Sequence, residues 1–290
     1  MSMRDRNSKD FYRKNWPLLV RLLRVDKTNC IHHGYYEKGI HNHIQSVLNM
    51  NDFVGHLLEI DPKDKQAKYI LDAGCGIGGT AIYLAKKYPH INFVGITEIS
   101  EHIEMAKNLA KENKVIFNTD FILKDFINTD FPSNQFDAIY LVESSCYAFN
   151  KHILLREMYR ILKPGGVLVI IDIFLTDVQL NPFLKTIYAW FCKGWGLKNL
   201  IKFSEFRDFL KTEGFHDIET RDLTKNVMCT ILRGDVLSIP YLFSTTINRI
   251  IQGRSYQIEE DSKFPGIVSV LTTILGIKKG ISYYAVTAIK

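Results

Sequence analysis

The stretch from Tyr69 to Thr80, YILDAGCGIGGT, holds the densest chemistry in the sequence. An apolar run ends in Asp72, Gly74, Gly76, Gly78 and Gly79 follow, and the helical pattern AIYLAKKY then opens. A carboxylate at the end of a buried strand can meet a cationic group or order a water beside it. Glycines let the backbone turn at positive φ and let a ligand approach with no Cβ in the way. The free N–H groups and positive end of the following helix face the same space. Strand, turn and helix start together predict a bound polar ligand, a nucleoside cofactor. Gly74-x-Gly76-x-x-Gly79 also satisfies the dinucleotide pattern GxGxxG, so a nicotinamide cofactor is a competing reading.

Metal and disulfide chemistry have no comparable pattern. The five cysteines (Cys30, Cys75, Cys146, Cys192, Cys229) are scattered and form no CxxC, which predicts neither a disulfide framework nor a zinc site and fits a reducing compartment. His32, His33, His41 and His43 lie close in sequence. His41 and His43 cannot share a helix face, and no local carboxylate or cysteine completes a ligand set, so these read as surface and cap histidines.

The elements that must position the glycine turn alternate regularly. Strands are expected at about 68–72, 91–97, 115–123, 136–142 and 167–174. Helices are expected to about Tyr88, from Ser100 as N-cap, and from about Lys151 to Leu162, where KPGG stops the last. Apolar strands alternating with amphipathic helices predict an α/β, doubly wound parallel sheet whose C-terminal strand ends share one edge. Before it, 11–24 has helical spacing and a basic face, read as a flap on the core, with a membrane-surface helix as the alternative. A helix is expected over about Ile40–Leu58. After it come a helical stretch near NPFLKTIYAWFCKGWGL, a helix ending at Gly214, a strand, and the terminal strand ISYYAVTAIK. Two apolar segments inside 235–278 read as an inserted helical cap, suited to a hydrophobic substrate or a dimer contact.

Composition is ordinary for a globular chain of 290 residues: 46% apolar, 23% charged, net charge +6. That charge accommodates an anionic ligand or a membrane surface without requiring nucleic acid. No apolar run approaches the roughly 18 residues of a membrane span. The charged opening MSMRDRNSKDFYRKN shows no signal peptide, and a cytoplasmic enzyme is expected.

The phrase DAGCGIGG resembles motif I (D/E-x-G-x-G-x-G) of the class I S-adenosylmethionine (SAM) dependent methyltransferases, and the resemblance runs over roughly 65–175. It implies a Rossmann-like, seven-stranded, mostly parallel sheet closed by an antiparallel C-terminal strand. It also implies a single domain: helical flap 1–64, SAM-binding core 65–175, substrate cap and closing strands 176–290. Asp72, Gly74 and Gly76 would meet the methionine end of SAM, whose amino group and sulfonium suit a carboxylate better than a pyrophosphate does. Where most of the class carries an acidic ribose ligand this chain has Thr97, followed by Glu98. His102 stands where the tocopherol and cyclopropane-forming relatives have glutamine, so the ribose contact falls among these three. Asp125 and Phe126 match the adenine contact.

HHGYYEKG resembles the N-terminal region of the sterol and tocopherol C-methyltransferases, and VESSCYA resembles their Glu-Ser or Glu-Ala phrase. This resemblance implies Glu143 near the substrate, accepting a proton or stabilising a cation. It places Tyr35 and Tyr36 against the sulfonium or substrate and makes His33 an alternative base. Cys146 is expected to be a buried neutral thiol. The (D/N)PP(Y/F) phrase of nucleic-acid N-methyltransferases is absent. The expectation is therefore methyl transfer to a small, largely apolar metabolite, without metal. A small amine or phenol is the alternative acceptor. An RNA or protein methyltransferase, a non-catalytic SAM-binding protein and an NAD-dependent oxidoreductase are the rivals.

Overall fold

The central strands are largely apolar because both of their faces are covered. Leu71 and Ala73 of β1 (Tyr69–Ala73) pack on one side and Ile70 on the other. The computed structural model describes residues 15–17, 19–60, 68–237 and 264–290. Its sheet has seven strands in the order β3-β2-β1-β4-β5-β7-β6. The others are β2 (Asn92–Thr97), β3 (Thr119–Leu123), β4 (Phe136–Val142), β5 (Leu162–Leu175), β6 (His216–Asp222) and β7 (Ile281–Ile289). β7 runs antiparallel to both β5 and β6, while β1 to β5 pair in parallel. This is the doubly wound sheet the alternation predicts, closed as the resemblance implies.

Two helical layers cover the faces. On one side lie α3 (His43–Leu57), α4 (Gly79–Lys87) and α5 (Ser100–Glu112), whose Met50, Val54, Leu84 and Ala106 pack on Phe93 and Tyr140. On the other lie α6 (Lys151–Ile161) and α8 (Phe203–Glu213), whose Leu154, Leu155, Met158, Phe206 and Leu210 pack on Ile139, Leu141 and Ile170. Each such fully buried side chain contributes about 1.5–3 kcal/mol of transfer free energy.

A third apolar cluster stands past the C-terminal end of β5. Here α7 (Pro182–Trp195) and α10 (Phe264–Ile277) contribute Leu184, Ile187, Phe191, Leu271 and Leu275. A further helix, α9 (224–237), follows Asp222, whose carboxylate accepts the Thr224 N–H at 2.8 Å. The first helical residues, α1 (15–17 and 19–23) and α2 (Val25–Thr28), bury Leu19 and Val25.

Several sequence boundaries move. α5 takes Ile99 as N-cap, not Ser100, whose hydroxyl instead donates to Glu101. The helix stops before KPGG as expected, but Gly165 and Gly166 exchange backbone hydrogen bonds with Lys290, so β5 starts at Leu162 rather than near 167. α3 starts at His43 because the Asn42 side chain accepts the Gln45 N–H. The first of the two expected cap segments falls mostly within 238–263, outside the described residues, as do Phe11–Lys14 of the expected flap helix. Among the described residues no helix is long and apolar enough to cross a membrane.

Strand order reverses between β1 and β4, and in such sheets ligands bind at that reversal, past the C-terminal strand ends. Register aligns Asp72 with Gly95 and Tyr140, and Val142 with Ile171. Asp72, Thr97, Glu143 and Asp172 therefore share one edge.

Candidate active site

A cleft with about 1220 Å³ of open space lies over that edge. Asp72, Gly74, Gly76, Thr97, Glu98, His102, Asp125, Phe126 and Glu143 all line it, together with Asn29, Cys30, Ile31 and His32 from the strap after α2. The site residues expected from four separate stretches of sequence thus converge.

Asp72 is buried, and its Oδ2 accepts the Tyr140 hydroxyl at 2.8 Å. Burial pushes its carboxyl up to about 7, against the opposing pull of Tyr140 and His32. Its other oxygen takes no hydrogen bond from the described residues. A cation brought beside it would favour the ionised form.

The glycines divide the work. Gly74 sits at φ +106, and a Cβ there would lie 2.3 Å from the Ser144 Cβ, so Ser144 rather than a ligand fills that space. Gly76, at φ +53, faces open cleft, with only Ile31 Cδ1 at 3.3 Å from a built Cβ. Gly74→Ala is therefore expected to lower stability by displacing the turn. Gly76→Ala costs only about 1–2 kcal/mol of backbone strain and mainly narrows the cleft. Urea melts beside ligand titrations separate the two.

At the β2 end, the Thr97 hydroxyl accepts the Ile99 N–H at 3.4 Å. His102 is buried, its ring 5.4 Å from that of Trp16, and burial pushes it down to about 4, so it is neutral. After β3, Asp125 Oδ1 accepts the Ile127 N–H at 3.0 Å and fixes its own turn.

Glu143, the first residue past β4, holds φ +51, a conformation uncommon and costly for a side chain with a Cβ. Its Oε1 accepts the His33 backbone N–H at 2.7 Å, the His33 ring at Nδ1 at 2.8 Å and the Tyr283 hydroxyl at 2.6 Å. Burial works to raise its carboxyl, but His33, His32 and Tyr283 together hold it below the usual range. An ionised carboxylate only accepts, so the proton of a neutral His33 ring resides on Nδ1 and Nε2 becomes the basic nitrogen.

A second chamber, with about 840 Å³ of open space, adjoins the first, and Ile31, Glu143 and Tyr147 line both. Its walls are largely apolar and come from α1, α7, α9 and α10. The segment between the chambers is clamped by two buried ionisable side chains, each shifted by burial toward its neutral form. Asp172 accepts the Ser145 hydroxyl at 2.6 Å and the Cys146 N–H at 2.8 Å. Lys151 Nζ donates to the Cys146 carbonyl at 2.8 Å and to that of Ala148. Cys146 is buried with its thiol pushed well up by burial, the inert thiol expected.

Two expectations fail in position. Tyr35 is core: it is 2% exposed and stacks on Phe53 at 4.7 Å. Tyr36 pairs through its backbone with Asn226, and neither tyrosine lines either chamber. The strap turns after His33, which sends Tyr35 into the α3 layer and leaves Tyr36 beside α9. Tyr283, from β7, takes the place expected of them. Tyr283→Phe is thus expected to lower turnover about tenfold, the worth of one hydrogen bond to a charged group, whereas Tyr36→Ala leaves turnover unchanged. Steady-state rates check both.

His32 and His43 are likewise buried rather than surface residues. The His32 ring nitrogens stand 2.9 Å from the His33 carbonyl and 2.9 Å from Asn51 Oδ1. Burial opposes charge on this ring, but Cys30 and Glu143 outweigh it and raise it to about 9. Among the described residues no group of three metal-ligating side chains forms.

Residues 70–166 match the family model described as a methyltransferase domain. The chain is 31% identical over 181 residues to sterol 24-C-methyltransferase erg6 of Aspergillus fumigatus, covering 62% of this chain and 47% of that one. It is 29% identical over 206 residues to norajmaline N-methyltransferase of Rauvolfia serpentina, covering 68% and 70%. It spans about half the length of the sterol-methylating relatives it matches. A solved geranyl diphosphate methyltransferase, in complex with GPP and sinefungin, shares the fold with a TM-score of 0.75 at 16% identity, covering 98% of this chain and 99% of that one. Sheet order, glycine turn and sequence match agree: residues 70–166 carry a methyltransferase domain, and the chain resembles the class I, SAM-dependent methyltransferases of the sterol-methylating branch.

Proposed function

We propose that the protein transfers a methyl group from SAM to a small, largely apolar acceptor. The observation that carries this reading is the junction at Glu143, which lines both the glycine-walled cleft and the apolar chamber beside it. Group transfer between two bound molecules needs such a meeting point. The residues present fit SAM: the open face of Gly76 admits a ligand against bare backbone, and Asp72 offers a buried carboxylate to its ammonium group. Thr97, Glu98 and His102 stand at the edge for the ribose, and Asp125 and Phe126 for the adenine.

Bound SAM supplies a methyl already activated by its sulfonium, so the protein mainly aligns and desolvates. Alignment of two reactants can contribute about 7–11 kcal/mol. Ser144 donates to the Ala73 carbonyl at 2.7 Å and fills the space beside Gly74, which ties the cofactor turn to the segment that roofs the chamber. Glu143 holds a negative charge at the junction and orients His33, whose Nε2 takes a proton from the acceptor. The division into flap (1–64), core (65–175) and cap with closing strands (176–290) belongs to the same reading, since flap and cap helices wall the chamber. A cytoplasmic setting also belongs to it, supported by five cysteines without a disulfide.

Calorimetric titration with SAM, S-adenosylhomocysteine and NADH tests the reading. Saturable binding of the first two and none of the third is expected; the reverse overturns it.

A further inference from the structure

We infer that the acceptor is a lipophilic amine, held in the apolar chamber as an ammonium ion against Glu143. The inference rests on the methyl-transfer reading and names the acceptor's chemistry.

The chamber walls include Leu23, Ile173, Phe191, Trp195, Val227 and Met228. Among the described residues that line it, the acidic ones are Glu143 and Asp172; none is a lysine or arginine. Asp172 is fully buried and its carboxyl is pushed up by burial, while Glu143 is part-buried and held ionised, so the Glu143 charge acts at a lower effective dielectric than in water. Glu143 already takes three donors on Oε1. Its Oε2 takes none from the described residues and remains for a ligand donor. A phosphate or carboxylate in this chamber would face the Glu143 charge, with no lysine or arginine among the described lining residues to offset it. An uncharged ether or alkene would fill the apolar walls, keep water from Oε2 and leave it without a partner, a costly state for a part-buried acceptor. An ammonium group satisfies Oε2 and brings positive charge toward the faces of Tyr283 and Trp195.

The chemistry closes with the residues present. The bound ammonium gives one N–H proton to His33 Nε2. The freed lone pair forms the N–C bond as the C–S bond of SAM breaks, and that electron pair stays on sulfur as a neutral thioether. The product is the methylated ammonium, and His33 returns its proton to solvent.

The test uses the full chain saturated with S-adenosylhomocysteine and three probes of one length: N-methyloctylamine, octyl methyl ether and octyl phosphate. The amine is expected to bind at least about tenfold tighter than the ether, as a desolvated charge pair requires, and the phosphate not measurably. Glu143→Gln should erase the difference between amine and ether while S-adenosylhomocysteine affinity, the control for folding, stays unchanged. Equal binding of amine and ether by the wild type, or tight binding of the phosphate, overturns the inference and leaves methyl transfer standing. Failure to bind S-adenosylhomocysteine at all overturns both.

Discussion

Asp72→Asn is expected to weaken SAM binding on the order of a hundredfold, the scale for removing one charge of a buried pair, while the fold persists. Asparagine keeps an acceptor for the Tyr140 hydroxyl, so no buried donor is orphaned. Alanine would orphan it, at about 1–3 kcal/mol, and would confuse binding with stability. The same site makes binding depend on pH. In the ligand-free protein burial raises Asp72 to about 7, so the native state holds a proton there that the unfolded chain has released above about pH 4. A group with a raised carboxyl costs stability as pH rises, between its unfolded value and about 7. Cationic SAM prefers the ionised form, so its affinity should strengthen from about pH 6 to about pH 8, with a proton released on binding. The asparagine variant should lose that slope and melt higher than the wild type at about pH 8 without ligand. A slope identical in both proteins would separate Asp72 from cofactor binding.

Local pattern was enough wherever a residue's role is set by its own strand or turn. Asp72, Thr97, Asp125 and Glu143 each stand at or just past the end of a strand whose apolar run is readable, and parallel pairing brings those ends to one edge. Tyr283 and Asp172 were not legible. Tyr283 reaches Glu143 only because β7 returns antiparallel between β5 and β6, a contact 140 positions apart in sequence. Asp172 looks like one polar residue in an apolar strand; that carboxylate was the available signal, and its partners Ser145 and Cys146 lie across the edge. The tyrosine pair misled for the opposite reason. HHGYY places four polar-capable rings in a row, yet the strap turns between them, giving His33 to the chamber and Tyr35 to the core. His32 read as surface because its partner, Asn51, lies a helix away. α9 was missed because 224–237 mixes lysine, threonine and glycine with its apolar residues.

Glu143→Gln is expected to lower turnover on the order of a hundredfold or more, the scale for losing a preorganised charge at a reacting centre, while SAM affinity holds. Glutamine has nearly the same shape and retains an oxygen for the His33 and Tyr283 donors, so the change isolates charge from geometry. Without that charge the protonated ring that forms when His33 Nε2 takes a proton loses its stabilising partner. Acid stability gives a second, independent readout. His33, His32 and Tyr283 hold the Glu143 carboxyl below its ordinary value. Its stabilising contribution is therefore complete above the unfolded carboxylate value of 4.5 and is lost as pH falls through the lower, folded one. Wild type should lose melting temperature through that acid window, and the variant should lose less. Turnover that survives in the variant, with the acid slope gone, would make Glu143 a structural brace for the strap at His33 and nothing more.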